Sequence, residues 1–368
     1  MIITGGAVFQ EDKTFAIRDL YIEDGRIVSF PEQVTDKTVI NAEGLLVLPG
    51  LIDIHSHGAV GHDFCDGDVS GLKKILAYEY AHGITSYCPT TMTLPKEKLM
   101  QIFHGMKDWR NEEGLSKIVG INMEGPFLDP ARRGAHKEEY IISPDPDFFR
   151  ECNEACGNLI RLVTLAPNTE GAIAFIEEVG DEAVISLGHS SADYETAKKA
   201  FQAGASHVTH LFNAMNLLGH REPGLVAAAS EAENCMTELI CDGIHVHESM
   251  VRAAFKLFPD RIVLISDSMR ATGMEDGDYE LGGQQVTVKR NRALLPDGTL
   301  AGSVTNLYDC LCNAVSFGIP IEEAIAAATM NPAKSIGIFH ETGSLTPGKR
   351  ADILLADKNL NLIRVFAH

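Results

Sequence analysis

Two histidines separated by a single residue, His55 and His57, stand early in the chain, and Glu124, His189, His210 and Asp267 follow at long intervals. Counted from His57 those intervals are 67, 65, 21 and 57 residues. Each of the six lies at the end of a short, apolar, β-rich run. A parallel strand buried on both faces should be apolar throughout, so an imidazole or carboxylate at its end needs a partner. A divalent cation supplies one. Side chains alternate along a strand, so His55 and His57 point to the same side and can offer two imidazoles to one ion. Imidazole nitrogens and carboxylate oxygens with no thiolate suit Zn²⁺ best, and Fe²⁺, Mn²⁺ or Co²⁺ less well. Such an ion lowers the pKa of bound water from about 15.7 to about 7 and polarises a carbonyl, while a nearby carboxylate moves the proton.

The elements that must position these residues are legible as a repeating pattern. Eight β-rich runs alternate with helical stretches: LPGLIDIH, GITSYCPTT, KIVGINMEG, LIRLVTLAP, AVISLGHS, SHVTHLFNA, TELICDGIHV and RIVLISDSM. The intervening segments, such as SGLKKILAYEYAHG and SADYETAKKAFQAGA, carry apolar residues at three- and four-residue spacing and end in Gly, as amphipathic helices do. Eight such units predict an α/β fold, a metal-dependent (β/α)8 TIM-like barrel. The ligand intervals then correspond to steps of two, two, one and two units, so all six residues converge on the C-terminal mouth, where barrel active sites lie. A long segment after the eighth run, ATGMEDGDYELGGQQVTVKRNRALLPDGTLAGS, reads as a lid or substrate wall at that mouth.

Both chain ends read differently, as short strands between Gly, Pro and Asn turns, with an Asp-Gly turn at Asp24 and Gly25. They predict a small β-sandwich domain from residues 1–48 plus 343–368, leaving 49–342 as the barrel catalytic domain.

Composition narrows the function classes. The chain has 368 residues, 45% of them hydrophobic, with 31 Lys+Arg against 51 Asp+Glu and a net charge of -20. That balance repels nucleic-acid phosphates and anionic membranes. No apolar run approaches the ~18 residues that span a bilayer, and the start, MIITGGAVFQEDK, lacks the pattern of a signal peptide, so a cytoplasmic protein is expected. The eight cysteines include no Cys-x-x-Cys pair, and no Asn-x-Ser/Thr sequon occurs, so reduced thiols are expected. There is no Gly-x-Gly-x-x-Gly, no Gly-x-x-x-x-Gly-Lys-Ser/Thr and no Gly-x-Ser-x-Gly, which removes dinucleotide oxidoreductases, nucleoside-triphosphate hydrolases and α/β-hydrolases. A Ser-x-x-Lys at Ser70–Lys73 sits in a predicted helix without companion motifs and is read as chance. His62, His82, His104, His207, His247, His340 and His368 are read as surface or satisfied core residues.

With the His-x-His, the strand-end Glu, two single His and a final Asp in view, the chain resembles the amidohydrolase superfamily. Its segments PGLIDIHSHG, MEGPF, GHSSA, THLFNAM, HREPG, DGIHV, SDSM and LAGS are similar, in that order, to those of N-acetylglucosamine-6-phosphate deacetylases. The resemblance implies metal-dependent deacetylation of N-acetylglucosamine 6-phosphate to glucosamine 6-phosphate and acetate. It implies that Glu124, His189 and His210 hold one divalent metal, that His55 and His57 belong to members binding a second, and that Asp267 is the general acid/base. Substrate contacts fall on Ala135, His136, Asn213, Ala214, Arg221, His245, Leu300, Ala301 and Gly302. The family's homodimers imply that Arg221 reaches the neighbouring subunit's sugar phosphate.

Two other readings stay open: deacetylation of a related sugar such as N-acetylgalactosamine 6-phosphate, and a non-catalytic amidohydrolase-like scaffold. The scaffold predicts a broken ligand set, and none is seen. The cyclic-amide branch needs a fourth-strand lysine, which LIRLVTLAP lacks, and the adenosine-deaminase-like branch does not use a third-strand Glu as ligand.

Overall fold

The computed structural model describes residues 1–367; His368 lies outside them. All eight β-rich runs form parallel strands. Lys117–Ile118, Ile84–Pro89 and Leu51–Ser56 pair in that order, and Ile121–Glu124, Ile160–Leu165, Val184–Leu187, His207–Val208, Met236–Ile240 and Ile262–Ile265 form a second parallel sheet. The third run is therefore split at Val119 and Gly120, with one part in each sheet. A parallel bridge between Thr90 and Asn122 joins the two.

The sheet curls so that its last strand comes back to its first: the N–H of Asp267 donates to the carbonyl of His55 at 2.9 Å. Helices follow the strands, among them Val69–Ala81, Pro146–Ala155 and Tyr194–Ala203. Each begins where an aspartate caps free N–H groups: Asp68 accepts from Ser70 and Gly71, Asp145 from Phe148, and Asp193 from Thr196. The two segments expected to end in Gly do so, with Gly83 and Gly204 at φ of 85° and 125°, which glycine alone adopts at little cost.

Alternation sorts the strand residues into two layers. Met123, Val163, Leu165, Ile185, Leu187, Val208 and Leu239 pack with Phe149, Phe175, Ile176 and Val251 of the covering helices. Between them Thr164, Ser186, His207, Thr209 and Glu238 are buried polar residues. Hydrogen bonds link Thr164 to Thr209 at 2.9 Å, Ser186 to Thr209 at 2.5 Å and Ser186 to His207 at 3.0 Å. These strands are buried on both faces without being apolar throughout, because one face carries a hydrogen-bonded layer beneath the strand ends.

The chain ends meet in one seven-stranded sheet, ordered Leu362–Phe366, Ile353–Ala356, Leu46–Pro49, Ile2–Phe9, Phe15–Glu23 and Arg26–Val28, with Val39–Asn41 also paired to Ile2–Phe9. Ile3, Val8, Leu20, Ile22, Val47, Leu345, Ile353 and Leu355 give this sheet a hydrophobic cluster of its own. Asp24 and Gly25, both at positive φ, turn Phe15–Glu23 into Arg26–Val28. The segment after the last parallel strand is not irregular: Gly277–Leu281, Gln284–Lys289 and Arg292–Leu294 form a three-stranded antiparallel sheet. Among the described residues no helix is long and apolar enough to cross a membrane.

Candidate metal centre and active-site cleft

The six residues singled out by type and spacing come together. His189 Nε2 stands 3.2 Å from Glu124 Oε1, His210 Nε2 stands 3.1 Å from the same oxygen, and the two imidazole nitrogens are 3.0 Å apart. Beside them His57 Nε2 lies 3.2 Å from Glu124 Oε2 and 3.3 Å from Asp267 Oδ1. His55 Nε2 lies 3.4 Å from Glu124 Oε1 and 3.6 Å from Asp267 Oδ1. Glu124 is thus shared by two groups of imidazoles.

The donor chemistry fits a divalent ion. His189 Nδ1 donates to the Arg132 carbonyl at 2.9 Å, His57 Nδ1 to the Thr90 carbonyl at 3.3 Å, and His55 Nδ1 to Glu238 at 2.8 Å. In each ring the proton held on Nδ1 would leave the Nε2 lone pair aimed at the centre once an ion displaces the Nε2 proton, the tautomer that metal ligation needs. Buried His55 Nε2 has no hydrogen-bond partner of its own. Ligands of a tetrahedral zinc at about 2.0–2.2 Å stand roughly 3.3–3.6 Å from one another, close to the spacings seen.

Electrostatics agree. Burial alone would raise the Glu124 carboxyl, but the charge of His55 and hydrogen bonds from His136, His189 and His210 outweigh it and hold it well below the usual range. Burial is likewise overcome at Asp267, where the His55 and His57 charges and the His57 hydrogen bond keep the carboxyl down at about 2. Burial would lower His57, yet its hydrogen bonds to Asp267 and Glu124 push it up to about 9. Carboxylates strong enough to hold buried imidazoles protonated create the field that a divalent cation answers.

The backbone is unusual at the same places. His189, His210 and Asp267 have φ of 45°, 27° and 48°, and Ala214 has 51°. Non-glycine residues in this region carry a cost that clusters at functional sites. Two glycines are required nearby. Gly125 follows Glu124 at φ 75°, and a Cβ there would collide with Thr93 Oγ1. Gly134, at φ 55°, would put a Cβ 3.3 Å from His189 Cε1.

A cleft of about 300 Å³ opens over this centre. His57, Glu124, His189, His210 and Asp267 line it together with Ala135, His136, Asn213, Ala214, His245, Leu300 and Gly302. His55 and Ala301 are fully buried behind the wall. Arg221 is not brought in: it lies in a neighbouring exposed cleft with Tyr194, Asn216 and Leu217, its Nη1 2.7 Å from His220 Nε2.

His136 differs from the other imidazoles. Its Nδ1 accepts the N–H of Thr93 at 3.1 Å, so the ring proton sits on Nε2, 3.5 Å from Glu124 Oε2. Burial lowers it to about 4, which makes it a neutral hydrogen-bond donor facing the cleft. His245 Nδ1 is held by Asp242 at 2.7 Å, and Asp242 also accepts the N–H groups of Ile244 and His245. Sequence reasoning missed Arg132, which lines the cleft and is fixed by Asn216, as well as Thr299, Leu281, Glu238 and Asp242. Arg132 carried a signal, since the arginine pair of RRGAH stands in an otherwise acidic chain. Glu238 shows in the sequence as no more than a break in an apolar run, and Asp242 as the first residue of DGIHV.

The Amidohydrolase family profile matches residues 46–367, and the chain belongs to that family. Its relatives narrow the class. It is 37% identical to N-acetylglucosamine-6-phosphate deacetylase of Bacillus subtilis (strain 168), over 99% of this chain and 94% of that one. It is 34% identical to N-acetylgalactosamine-6-phosphate deacetylase of Escherichia coli O157:H7, over 94% of this chain and 92% of that one. Its structure is similar to an aspartate-to-alanine mutant of the Mycobacterium smegmatis N-acetyl-D-glucosamine-6-phosphate deacetylase in complex with N-acetyl-D-glucosamine-6-phosphate. There the TM-score is 0.92 at 31% identity, covering 100% of this chain and 97% of that one.

Proposed function

We propose that the protein is a metal-dependent hydrolase that deacetylates N-acetylglucosamine 6-phosphate to glucosamine 6-phosphate and acetate. The observation that carries this is the intact Glu124, His189 and His210 cluster under a cleft, in a chain aligned nearly end to end with deacetylases of that sugar phosphate. His55 and His57, sharing Glu124 with that cluster, would hold a second ion. Zn²⁺ suits these donors best. A bound divalent ion would activate water and polarise the amide oxygen of the acetyl group.

The chain's own residues do the rest. Asp267, a carboxylate at the cleft wall, takes the proton from water and returns it to the leaving amine nitrogen. His136 Nε2–H donates toward the oxygen on which negative charge develops. Asn213, Ala214, Ala135, His245, Leu300 and Gly302 shape the sugar pocket with Ala301 buried behind them, and Asp242 orients His245 through Nδ1. No covalent nucleophile is needed.

The phosphate is assigned to Arg221 of a neighbouring subunit in a homodimer. Supporting this, Arg221 is exposed outside its own chain's cleft, and Leu217 beside it is 85% exposed. The curled sheet is read as a closed (β/α)8 barrel over 49–342, and the paired chain ends as a small sandwich domain of 1–48 plus 343–368. A cytoplasmic setting accords with eight free cysteines.

The test is direct. Purified protein loaded with Zn²⁺ and given N-acetylglucosamine 6-phosphate is expected to release free amine and acetate in equal amounts. No product from fully loaded protein would reject the reading.

A further inference from the structure

Glu238 lies in the middle of the strand Met236–Ile240, fully buried, and takes no part in the chemistry above. Its Oε2 accepts from two places at once: from His55 Nδ1 at 2.8 Å and from the backbone N–H of His210 at 3.1 Å. Its own carbonyl accepts the N–H of Leu211 at 2.9 Å. One side-chain oxygen therefore grips a ring from the first parallel strand and the backbone from which another ring hangs, 155 residues further along the chain.

The His210 backbone needs such a grip. Its φ of 27° lies outside the regions that β-carbon-bearing residues prefer, and a conformation of this kind persists only when the surroundings over-determine it. His55 needs one too, for a different reason. Its ring is fully buried, and its Nε2 faces Glu124 and Asp267 oxygens at 3.4 and 3.6 Å. A proton fixed on Nδ1 leaves that nitrogen a lone pair directed at the centre. His57 and His189 donate Nδ1 to backbone carbonyls, whereas His55 donates to a carboxylate, which makes the ring a more basic donor.

We propose that Glu238 is a positioning residue for the metal centre, setting the tautomer and basicity of His55 while holding the strained His210 backbone, and so coupling the two groups of ligands that share Glu124. The inference rests on the reading that the centre holds divalent ions. A plain buried ion pair between His55 and Glu238 is the competing account. It predicts a loss of stability that is the same with and without metal.

The experiment compares wild type, Glu238→Gln and Glu238→Ala, each stripped with chelator and then titrated with Zn²⁺ against a chromophoric chelator. Melting temperatures are recorded for both forms. Gln keeps the oxygen that accepts from His55 and His210 but removes the charge, so it guards against Ala failing to fold. The expected result is a 10- to 100-fold weaker Zn²⁺ affinity for Ala, a smaller loss for Gln, and a narrower gap between stripped and loaded melting temperatures. Wild-type Zn²⁺ affinity in either folded variant, with equal melting shifts in both forms, would overturn the proposal. Failure of wild type itself to take up Zn²⁺ would instead reject the metal reading.

Discussion

Asp267 Oδ1 stands 3.3 Å from His57 Nε2, across the seam where the last parallel strand returns to the first. The relationship places an ionised carboxylate at the wall of the cleft beside the cluster it would serve. Replacing Asp267 with Asn keeps the shape and removes the proton acceptor. The expected outcome is a fall in kcat of at least about 10²-fold with zinc content near that of wild type. Steady-state kinetics alongside elemental analysis check it, and a variant with unchanged kcat would remove Asp267 from its role.

The Glu124, His189 and His210 triangle predicts loss of metal as well as rate. His189→Ala and His210→Ala should each retain at least one zinc per chain fewer than wild type after dialysis and lose deacetylation, because neither remaining pair can enclose an ion. Elemental analysis decides the point, and a fully loaded His189→Ala protein would contradict the assignment.

Arg221 lies outside its own chain's cleft, and on the proposal that it serves the phosphate of a neighbouring subunit its removal should act on binding and across subunits. Arg221→Ala is expected to raise KM for the phosphorylated sugar and leave turnover of unphosphorylated N-acetylglucosamine little changed. In the proposed homodimer, at substrate far below the raised KM, mixing Arg221→Ala with Asp267→Asn chains under subunit exchange should restore about a quarter of wild-type activity, since half the dimers would carry one complete site. No recovery in demonstrably mixed dimers would show that Arg221 serves no neighbouring site.

Glu79 is fully buried in the helix Val69–Ala81, and neither carboxylate oxygen meets a hydrogen-bond partner among the described residues. Burial, with the Asp53 charge adding to it, holds its pKa well above the usual range. The sign follows: above about pH 4.5 the unfolded chain releases this proton while the folded chain keeps it, so the group's contribution destabilises increasingly as pH rises. Glu79→Met should therefore stabilise the fold by about 1–3 kcal/mol at pH 8 and by less at pH 5. Urea unfolding at both pH values checks it; a gain that is absent, or larger at pH 5, would refute it.

What the sequence by itself determined was the set of strand ends. Eight apolar runs, helices capped by Asp68, Asp145 and Asp193, and the Asp24–Gly25 turn are local patterns. Neighbouring residues dictate them through alternation, capping and allowed φ. Because His55, His57, Glu124, His189, His210 and Asp267 lie at the ends of those runs, their convergence followed from counting units. The segment after Asp267 reads as a lid or wall with two hairpin-like turns, and its pairing into a three-stranded sheet appears only in the fold, since its strands are short and partly exposed.

The tertiary structure decided what each imidazole does. Whether a ring offers Nε2 as a lone pair or as a donor depends on what its Nδ1 meets: Glu238 for His55, the Thr90 carbonyl for His57, the Arg132 carbonyl for His189, and the Thr93 N–H for His136. Those partners lie 183, 33, 57 and 43 residues away in the chain. A glutamate in mid-strand reads in a sequence as a break in an apolar run, and nothing local names the ring it will hold. Hydrogen-bond direction is a property of atoms brought into hydrogen-bond range by folding, so it appears only when the chain has closed on itself.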